Sequence, residues 1–261
     1  MQMTKLQKLP SDLPVELLAR FSGCDVYDSS SSPEARVYFA DADGGCFIKV
    51  SKRGTLRKEA LLTEYFHLLG LGAEVICSVS GEKDVLVTKK IRGRDLTDRR
   101  YLDEPRRLAS RMGELLRELH ERDVSDCPVK NRTAEYLESF EEGYRIGRFD
   151  PSYIDKSLNI RDADTARDYV LKKRHLLCTE ALIHGDFCLP NVIFDGWELS
   201  GYIDLGAAGV GDRHIDLFWG AWTLNFNLGT NEYRNVFFNA YGRELVDEEK
   251  LLLISAIEAF G

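Results

Sequence analysis

The sequence has no apolar run long enough to cross a membrane. Its first residues, Met-Gln-Met-Thr-Lys-Leu-Gln-Lys, have no apolar core of the kind a secretory signal needs. Both absences point to a cytoplasmic protein with no membrane partner. There is no C-x-x-C, and none of Cys24, Cys46, Cys77, Cys127, Cys178 and Cys188 pairs with a histidine at metal-binding spacing. These six are expected to be reduced, mostly buried thiols. No G-x-x-x-x-G-K-[ST] occurs, which excludes a Walker-type nucleotide site. Basic residues are not in excess: the net charge of −8 argues against nucleic acid as a partner and favours a cationic ligand. Internal repeats are absent, and the only low-complexity tract is Ser29–Ser32.

What is present is a soluble, globular composition, 44% hydrophobic and 30% charged over 261 residues. That length suits one large domain or two lobes sharing a cleft. The chain is organised around residues 182–216. Asp186 and Asn191 stand at the spacing D-x-x-x-x-N in Leu-Ile-His184-Gly185-Asp186-Phe-Cys-Leu-Pro-Asn191. A strand, an Asp195-Gly196 hairpin turn and a returning strand then lead to Ile203-Asp204-Leu-Gly206, and His-Ile-Asp216 follows. This order puts a carboxylate and an amide on one loop and a second carboxylate at the end of a strand. Metal-assisted phosphoryl transfer needs such a set: one Asp takes the hydrogen of the attacking hydroxyl, while an Asn and another Asp hold Mg²⁺ on the nucleotide phosphates.

The run His184-Gly-Asp186-Phe-Cys-Leu-Pro-Asn191, with Gly201-Tyr-Ile-Asp204-Leu-Gly206 and Asp212-Arg-His-Ile-Asp216, resembles the aminoglycoside phosphotransferases, most closely the aminoglycoside 3′-phosphotransferases. The resemblance extends from about Val37 to the C-terminus. It implies an α+β, protein-kinase-like bilobal fold: an N-lobe antiparallel sheet with one helix, and a mainly helical C-lobe. The lobes are expected at 1–88 and 94–261, joined by a hinge at 89–93, with 131–170 and 235–261 forming a helical acceptor-site subdomain.

Along the chain, a helix is expected over 11–19, capped by Ser11 or Asp12, with Leu13, Leu17 and Leu18 on one face. Strands follow on both sides of the Ser29–Ser32 loop, then the Asp41–Gly45 turn and the strand Cys46–Val50. The resemblance makes the serine loop, including Ser32, a cover for the nucleotide phosphates; the other reading is a plain polar turn. Lys49 lies mid-strand. A strand lysine usually faces water, but the helix over 55–69 places Glu59 on the face of Leu62 and Phe66. A strand Lys paired with a helix Glu is the device that aims an ammonium at nucleotide phosphates. Glu59 is the preferred partner and Glu64 the rival, and the short link from Lys49 demands a tight loop at 51–54. Phe47 shares the strand face of Lys49, either stacking on adenine as the resemblance implies or filling core. Residues 88–93, with Thr88, Lys90 and Ile91, are expected to bond the adenine edge through their backbone.

The 105–121 stripe of Leu108, Met112, Leu115, Leu116 and Leu119 is core, and His120 at its end reads as a helix-end residue. A further helix is expected at 133–146. Residues 131–170 carry three more carboxylates than cations, with Glu135 and Asp155 as candidate ligands for acceptor ammonium groups. His184 is read as a brace for the loop rather than a base, and Asp216 as a structural acceptor for loop amides. No activation loop or Ala-Pro-Glu motif follows Asp204, so the acceptor is expected to be small. The tail Glu258-Ala-Phe260-Gly261 is similar to that of the 3′-phosphotransferases, which implies acceptor contacts from Glu258 and from the chain carboxylate at the terminal aromatic, here Phe260 followed by Gly261, which shifts that carboxylate by one residue. Ala207 stands where such enzymes commonly have Arg, and Asn225-Phe226-Asn227 where relatives carry carboxylates.

The expected activity is Mg²⁺-dependent transfer of the γ-phosphate of ATP or GTP to an aminoglycoside hydroxyl, the 3′-hydroxyl by resemblance. Asp186 would orient the hydroxyl, Asn191 and Asp204 would hold the metal, and the chain would act as a monomer or dimer. The alternatives are a kinase for another small hydroxylated amine and a nucleotide-binding module without catalysis.

Overall fold

The computed structural model describes residues 4–6, 13–30 and 35–261. The chain divides into two compact units, Met1–Arg94 with Ile193–Gly206, and Asp95–Val192 with Ala207–Gly261. The 89–93 span falls within the first unit.

In the first unit, β1 (Thr4–Leu6), α1 (Val15–Arg20), β2 (Val26–Asp28), β3 (Ala35–Ala40), β4 (Cys46–Lys52), α2 (Arg57–Leu68), β5 (Val75–Ser80) and β6 (Lys83–Lys89) follow in order. The strands form one antiparallel sheet in the order β1-β2-β3-β4-β6-β5. Alternation along a strand assigns its faces. Cys46, Ile48 and Val50, with Val85 and Val87 of β6, point to one side and are covered by Leu13, Leu17 and Phe21 around α1. Leu86 points to the other side and packs on Leu56 and Ala60 at the start of α2. Lys49 is opposite Leu86 and Phe47 opposite Thr88 in the register, so both lie on the α2 side. The expected caps Ser11 and Asp12 lie outside the described residues. The tight link before α2 is held by Asp84 Oδ2, which accepts from the Leu56 N–H at 3.0 Å.

The short strand β7 (Arg94–Asp95) and the helices α3 (Arg99–Leu102), α4 (Pro105–His120), α5 (Arg132–Arg145) and α6 (Ala163–Lys173) come next. The helix expected at 133–146 is present as α5, one residue earlier at each end; the Asn131 and Asp162 side chains accept N–H groups in the first turns of α5 and α6. Then come β8 (Ala181–Ile183), β9 (Val192–Asp195), β10 (Glu198–Tyr202), β11 (Gly209–Gly211), α7 (His214–Leu228), α8 (Arg234–Tyr241) and α9 (Glu248–Glu258). β9 and β10 are neighbours in one sheet, and Gly196 takes a left-handed φ of 65° at their turn. The Tyr202 N–H donates to the Leu71 carbonyl at 2.7 Å, and its ring meets Phe66 of α2 edge-on, which fixes the returning strand beside that helix.

In the second unit, all five residues of the α4 stripe are buried, at 2% exposure or less. α4 runs close against α8 because Gly113 has no Cβ; one there would lie 2.4 Å from the Phe237 carbonyl oxygen. α5, α6 and α9 enclose a second core around Phe140, Val170, Ile254 and Phe260. The antiparallel pair β8–β11, with Ile183 opposite Gly209, leads into the D-x-x-x-x-N loop.

Candidate active site

In the first unit, the Lys49 ammonium donates to both Glu59 carboxylate oxygens at 2.8 Å and to Asp204 Oδ1 at 2.8 Å. Asp204 has a left-handed φ of 59°, a conformation Asp and Asn tolerate better than most residues, and its carboxylate remains about half exposed. Burial alone would pull Lys49 down, but the Asp204 and Glu59 carboxylates outweigh it and hold the ammonium above its ordinary value. Burial pushes Glu59 up despite the neighbouring ammonium. The arrangement is a cation fixed at its base by one enclosed carboxylate and tethered to a second, more exposed one.

Phe47 is partly buried, its ring 5.2 Å from that of Phe39. The ammonium of Lys90 lies over Phe39 at 5.5 Å, and its backbone N–H donates to the Gly45 carbonyl at 2.9 Å. That N–H is already taken up by the sheet. Thr88 is half-buried on β6, and the Ile91 side chain closes on Gly201. Ser32 lies outside the described residues.

In the second unit, Asn191 donates to Asp186 Oδ2 at 2.8 Å and to the Asp186 carbonyl at 3.0 Å, so the amide orients the carboxylate five residues before it. The loop is suspended from Asp216, which is fully buried: Oδ2 accepts from the His184 N–H and Oδ1 from the Gly185 N–H, both at 2.7 Å. Gly185 has φ 82°, and a Cβ there would lie 2.0 Å from the Ala207 carbonyl oxygen, so only glycine fits this crossing. His184 is buried; its Nδ1 accepts from the Asp186 N–H at 3.3 Å, as a brace does. His120 reaches further than its helix-end position implies. Its Nε2 lies 3.1 Å from Asp216 Oδ2 and its Nδ1 2.9 Å from the Tyr241 hydroxyl. Burial keeps it below its usual value and therefore neutral at physiological pH. No local signal marks this role, because the partners come from α7 and α8.

The acceptor-side expectations divide. Glu258 Oε1 accepts from the Tyr136 hydroxyl at 2.7 Å and from Trp219 Nε1 at 3.0 Å. Burial nevertheless pushes it up to about 7, with Asp186 adding to the effect. Tyr136 is raised in turn by burial and by Glu258. Phe260 is corrected: it is fully buried, its ring 5.0 Å from Phe140 and 5.3 Å from Phe149, so it fills core and presents no ring to a ligand. Asp155 is exposed and its Oδ1 accepts the Ser157 N–H and hydroxyl, closing a turn. Glu135 pairs with Arg132, whose Nε donates to the Ala207 carbonyl at 2.8 Å. Tyr136, Trp219 and Arg132 escaped sequence reasoning because nothing in the pattern relates α5 to α7 and α9.

The chain matches the phosphotransferase enzyme family over residues 31–253, most of its length, and belongs to that family. Within it, the chain is 44% identical to a probable aminoglycoside 3′-phosphotransferase of Lactococcus lactis, over 99% of this chain and 100% of that protein. Among solved structures it is similar to an aminoglycoside-3′-phosphotransferase of type VIII, with a TM-score of 0.76, 26% identity, and coverage of 95% of this chain and 97% of that one. An aminoglycoside phosphotransferase of Streptomyces rimosus, solved with ADP and streptomycin, shares the fold at a TM-score of 0.72 and 20% identity, covering 86% of this chain and 90% of that one. The fold is thus the α+β, protein-kinase-like one. No helix among the described residues is long and apolar enough to cross a membrane.

Proposed function

We propose that the protein transfers the γ-phosphate of a nucleoside triphosphate to a hydroxyl of an aminoglycoside, the 3′-hydroxyl in acceptors that carry one. The observation that carries this reading is the 44% identity, across nearly the whole of both chains, to a protein described as a probable aminoglycoside 3′-phosphotransferase. The side chains supply the parts that the reaction needs. Lys49, held by Glu59, brings a fixed positive charge to the phosphates. Asp186, aimed by Asn191, accepts a hydrogen bond from the attacking hydroxyl and orients it. Phosphoryl transfer proceeds through a loose transition state, so placement and charge stabilisation matter more than a strong base.

The donor chemistry fits Mg²⁺. Asp204 offers an accessible carboxylate and Asn191 an amide oxygen, both hard ligands. No set of three or more His, Cys, Asp and Glu gathers as a metal site among the described residues. Mg²⁺ commonly takes one or two protein ligands and fills its shell with phosphate oxygens and water. When bound, it neutralises charge developing on the phosphates. Ser32, Phe47, Thr88 and Ile91 remain part of the nucleotide reading, and Glu258, Asp155 and Glu135 part of the acceptor reading. A cytoplasmic location and a monomer or dimer complete it.

The test is ADP release with ATP-Mg²⁺ in the presence of kanamycin A and of its 3′-deoxy counterpart. Release with the first and not the second is expected. Release with neither, but with a simpler amino alcohol or amino sugar, overturns the aminoglycoside assignment in favour of another small-amine kinase. Asp186→Asn is expected to lower kcat at least a thousandfold with nucleotide affinity kept; unchanged turnover refutes its role.

A further inference from the structure

Arg132 opens α5, directly after the Asn131 cap. A cation in the first turn of a helix opposes the partial positive charge that the turn already carries. The guanidinium is also mostly withdrawn from water, its side chain 13% exposed. On its own helix it gains one contact, at 3.3 Å to Glu135, whose carboxylate is open enough to water to keep the pair weak. Helix formation and local pairing therefore do not account for an arginine here.

Its shortest contact is with a residue 75 positions away: Nε donates to the Ala207 carbonyl at 2.8 Å. That carbonyl oxygen is the atom a Cβ at Gly185 would meet at 2.0 Å, and Gly185 directly precedes Asp186. The same end of α5 grips the chain that follows Ala207. The Val210 N–H donates to the Val129 carbonyl at 2.8 Å, and the Thr133 hydroxyl accepts the Asp212 N–H at 3.0 Å. A Cβ on Gly209 would lie 2.8 Å from Val129, so the approach is close. β11 is thus held along one edge by the start of α5, and along the other it pairs with β8, which runs into His184 and Gly185. Of these anchors, Arg132 supplies the charged donor, about twice as strong as a neutral one, and supplies it to the carbonyl that abuts Gly185.

On the aminoglycoside-kinase reading given above, we propose that Arg132 is a positioning residue for the transfer step: through the Ala207 carbonyl it fixes the loop that presents Asp186. It acts through the backbone and contacts neither nucleotide nor acceptor.

Steady-state ADP release with kanamycin A and backbone hydrogen exchange test this in the full-length protein, for Arg132→Met, Arg132→Lys and, as a control, Arg145→Met at an exposed position of the same helix. Because an ångström of misplacement is worth about a hundredfold in rate, Arg132→Met is expected to lower kcat about 10- to 100-fold, with KM for ATP within about threefold of wild type. Peptides spanning 183–189 are expected to exchange about tenfold faster or more, while those of α4 keep the wild-type rate. Arg132→Lys keeps the charge and loses the fork; its kcat is expected about three- to tenfold below wild type, and it serves alone if Arg132→Met does not fold. Arg145→Met is expected to match wild type. A wild-type kcat in the Arg132 variants overturns the positioning role. A lowered kcat with unchanged exchange at 183–189 also overturns it, by putting Arg132 on a substrate, and so does exchange raised equally in α4, which would make the residue merely structural. Faster loop exchange in the variants, when wild type transfers no phosphate, supports the hold on the loop and overturns the kinase reading; transfer by wild type, with kcat and loop exchange unchanged in the variants, does the reverse.

Discussion

Replacing Asp216 by Asn tests how the catalytic loop is held. Asp216 is fully buried and accepts three hydrogen bonds, from the His184 and Gly185 backbone N–H groups and at His120 Nε2. Alanine would strand all three groups. At about 1–3 kcal/mol for each buried partner left unpaired, the loss approaches the roughly 5–15 kcal/mol that stabilises a whole domain, so Asp216→Ala is expected not to fold. Asparagine keeps the shape and one accepting oxygen. Its NH2 finds an acceptor in neutral His120 but opposes the His184 N–H, so one backbone donor is stranded and the charge is lost, for about 2–4 kcal/mol. Urea denaturation at constant m-value reads that loss directly. Because Asp186 follows His184 by two residues, a shift of about an ångström in the loop is worth about a hundredfold in rate. Asp216→Asn is therefore expected to lower kcat by about 10- to 100-fold while KM for ATP changes less than threefold. Wild-type stability and kcat together would refute the suspension of the loop from Asp216.

Lys49→Met is expected to lower kcat/KM for ATP about 10²–10³-fold, as loss of one fixed charge-stabilising donor does; steady-state kinetics within threefold of wild type would remove Lys49 from the mechanism. Glu258 has a folded value raised to about 7 from 4.5, so its carboxylate is mostly ionised only above neutrality. Affinity for kanamycin is therefore expected to strengthen between pH 6 and 8, and calorimetry should find that part of the pH dependence gone in Glu258→Gln. The same shift makes the Glu258 contribution to stability fall as pH rises from about 4.5 to 7, because the folded state holds the proton more tightly. In Gly143→Ala, the new Cβ would lie 2.0 Å from the Phe260 carbonyl oxygen. Overpacking of about 1–3 kcal/mol and a loss of about 3–10 °C in Tm are expected by calorimetric scan, and an unchanged Tm would show that the C-terminal turn docks loosely.

Much of the fold was legible where pattern and chemistry are local. The alternation of Cys46, Ile48 and Val50 marks β4, the four-residue rhythm of α4 marks a buried helix, and Asp195-Gly196 marks the β9–β10 turn; each is set by steric preferences of a few neighbouring residues. The same holds for Lys49 with Glu59, ten positions apart, since a strand face and a helix face suffice to place them. The D-x-x-x-x-N loop and Asp204 carried the resemblance in the sequence because phosphoryl transfer uses few residue types in a strict order.

Other features depend on contacts between segments far apart in the chain, and no local pattern encodes those. The bond between Asp216 and His120 joins residues 96 positions apart. Glu258 owes its raised value to burial and is held by donors from α5 and α7. Phe260 was expected at a ligand, yet three rings from elsewhere in its unit surround it. The backbone N–H of Lys90, within the span expected to meet adenine, is bonded to the Gly45 carbonyl across the sheet. The sequence by itself determined which elements form and which chemistry they carry. The tertiary structure alone decided which carboxylates are buried, which rings stay wet and which backbone donors are already taken, because desolvation and hydrogen-bond pairing are properties of packed neighbours rather than of residues in a row.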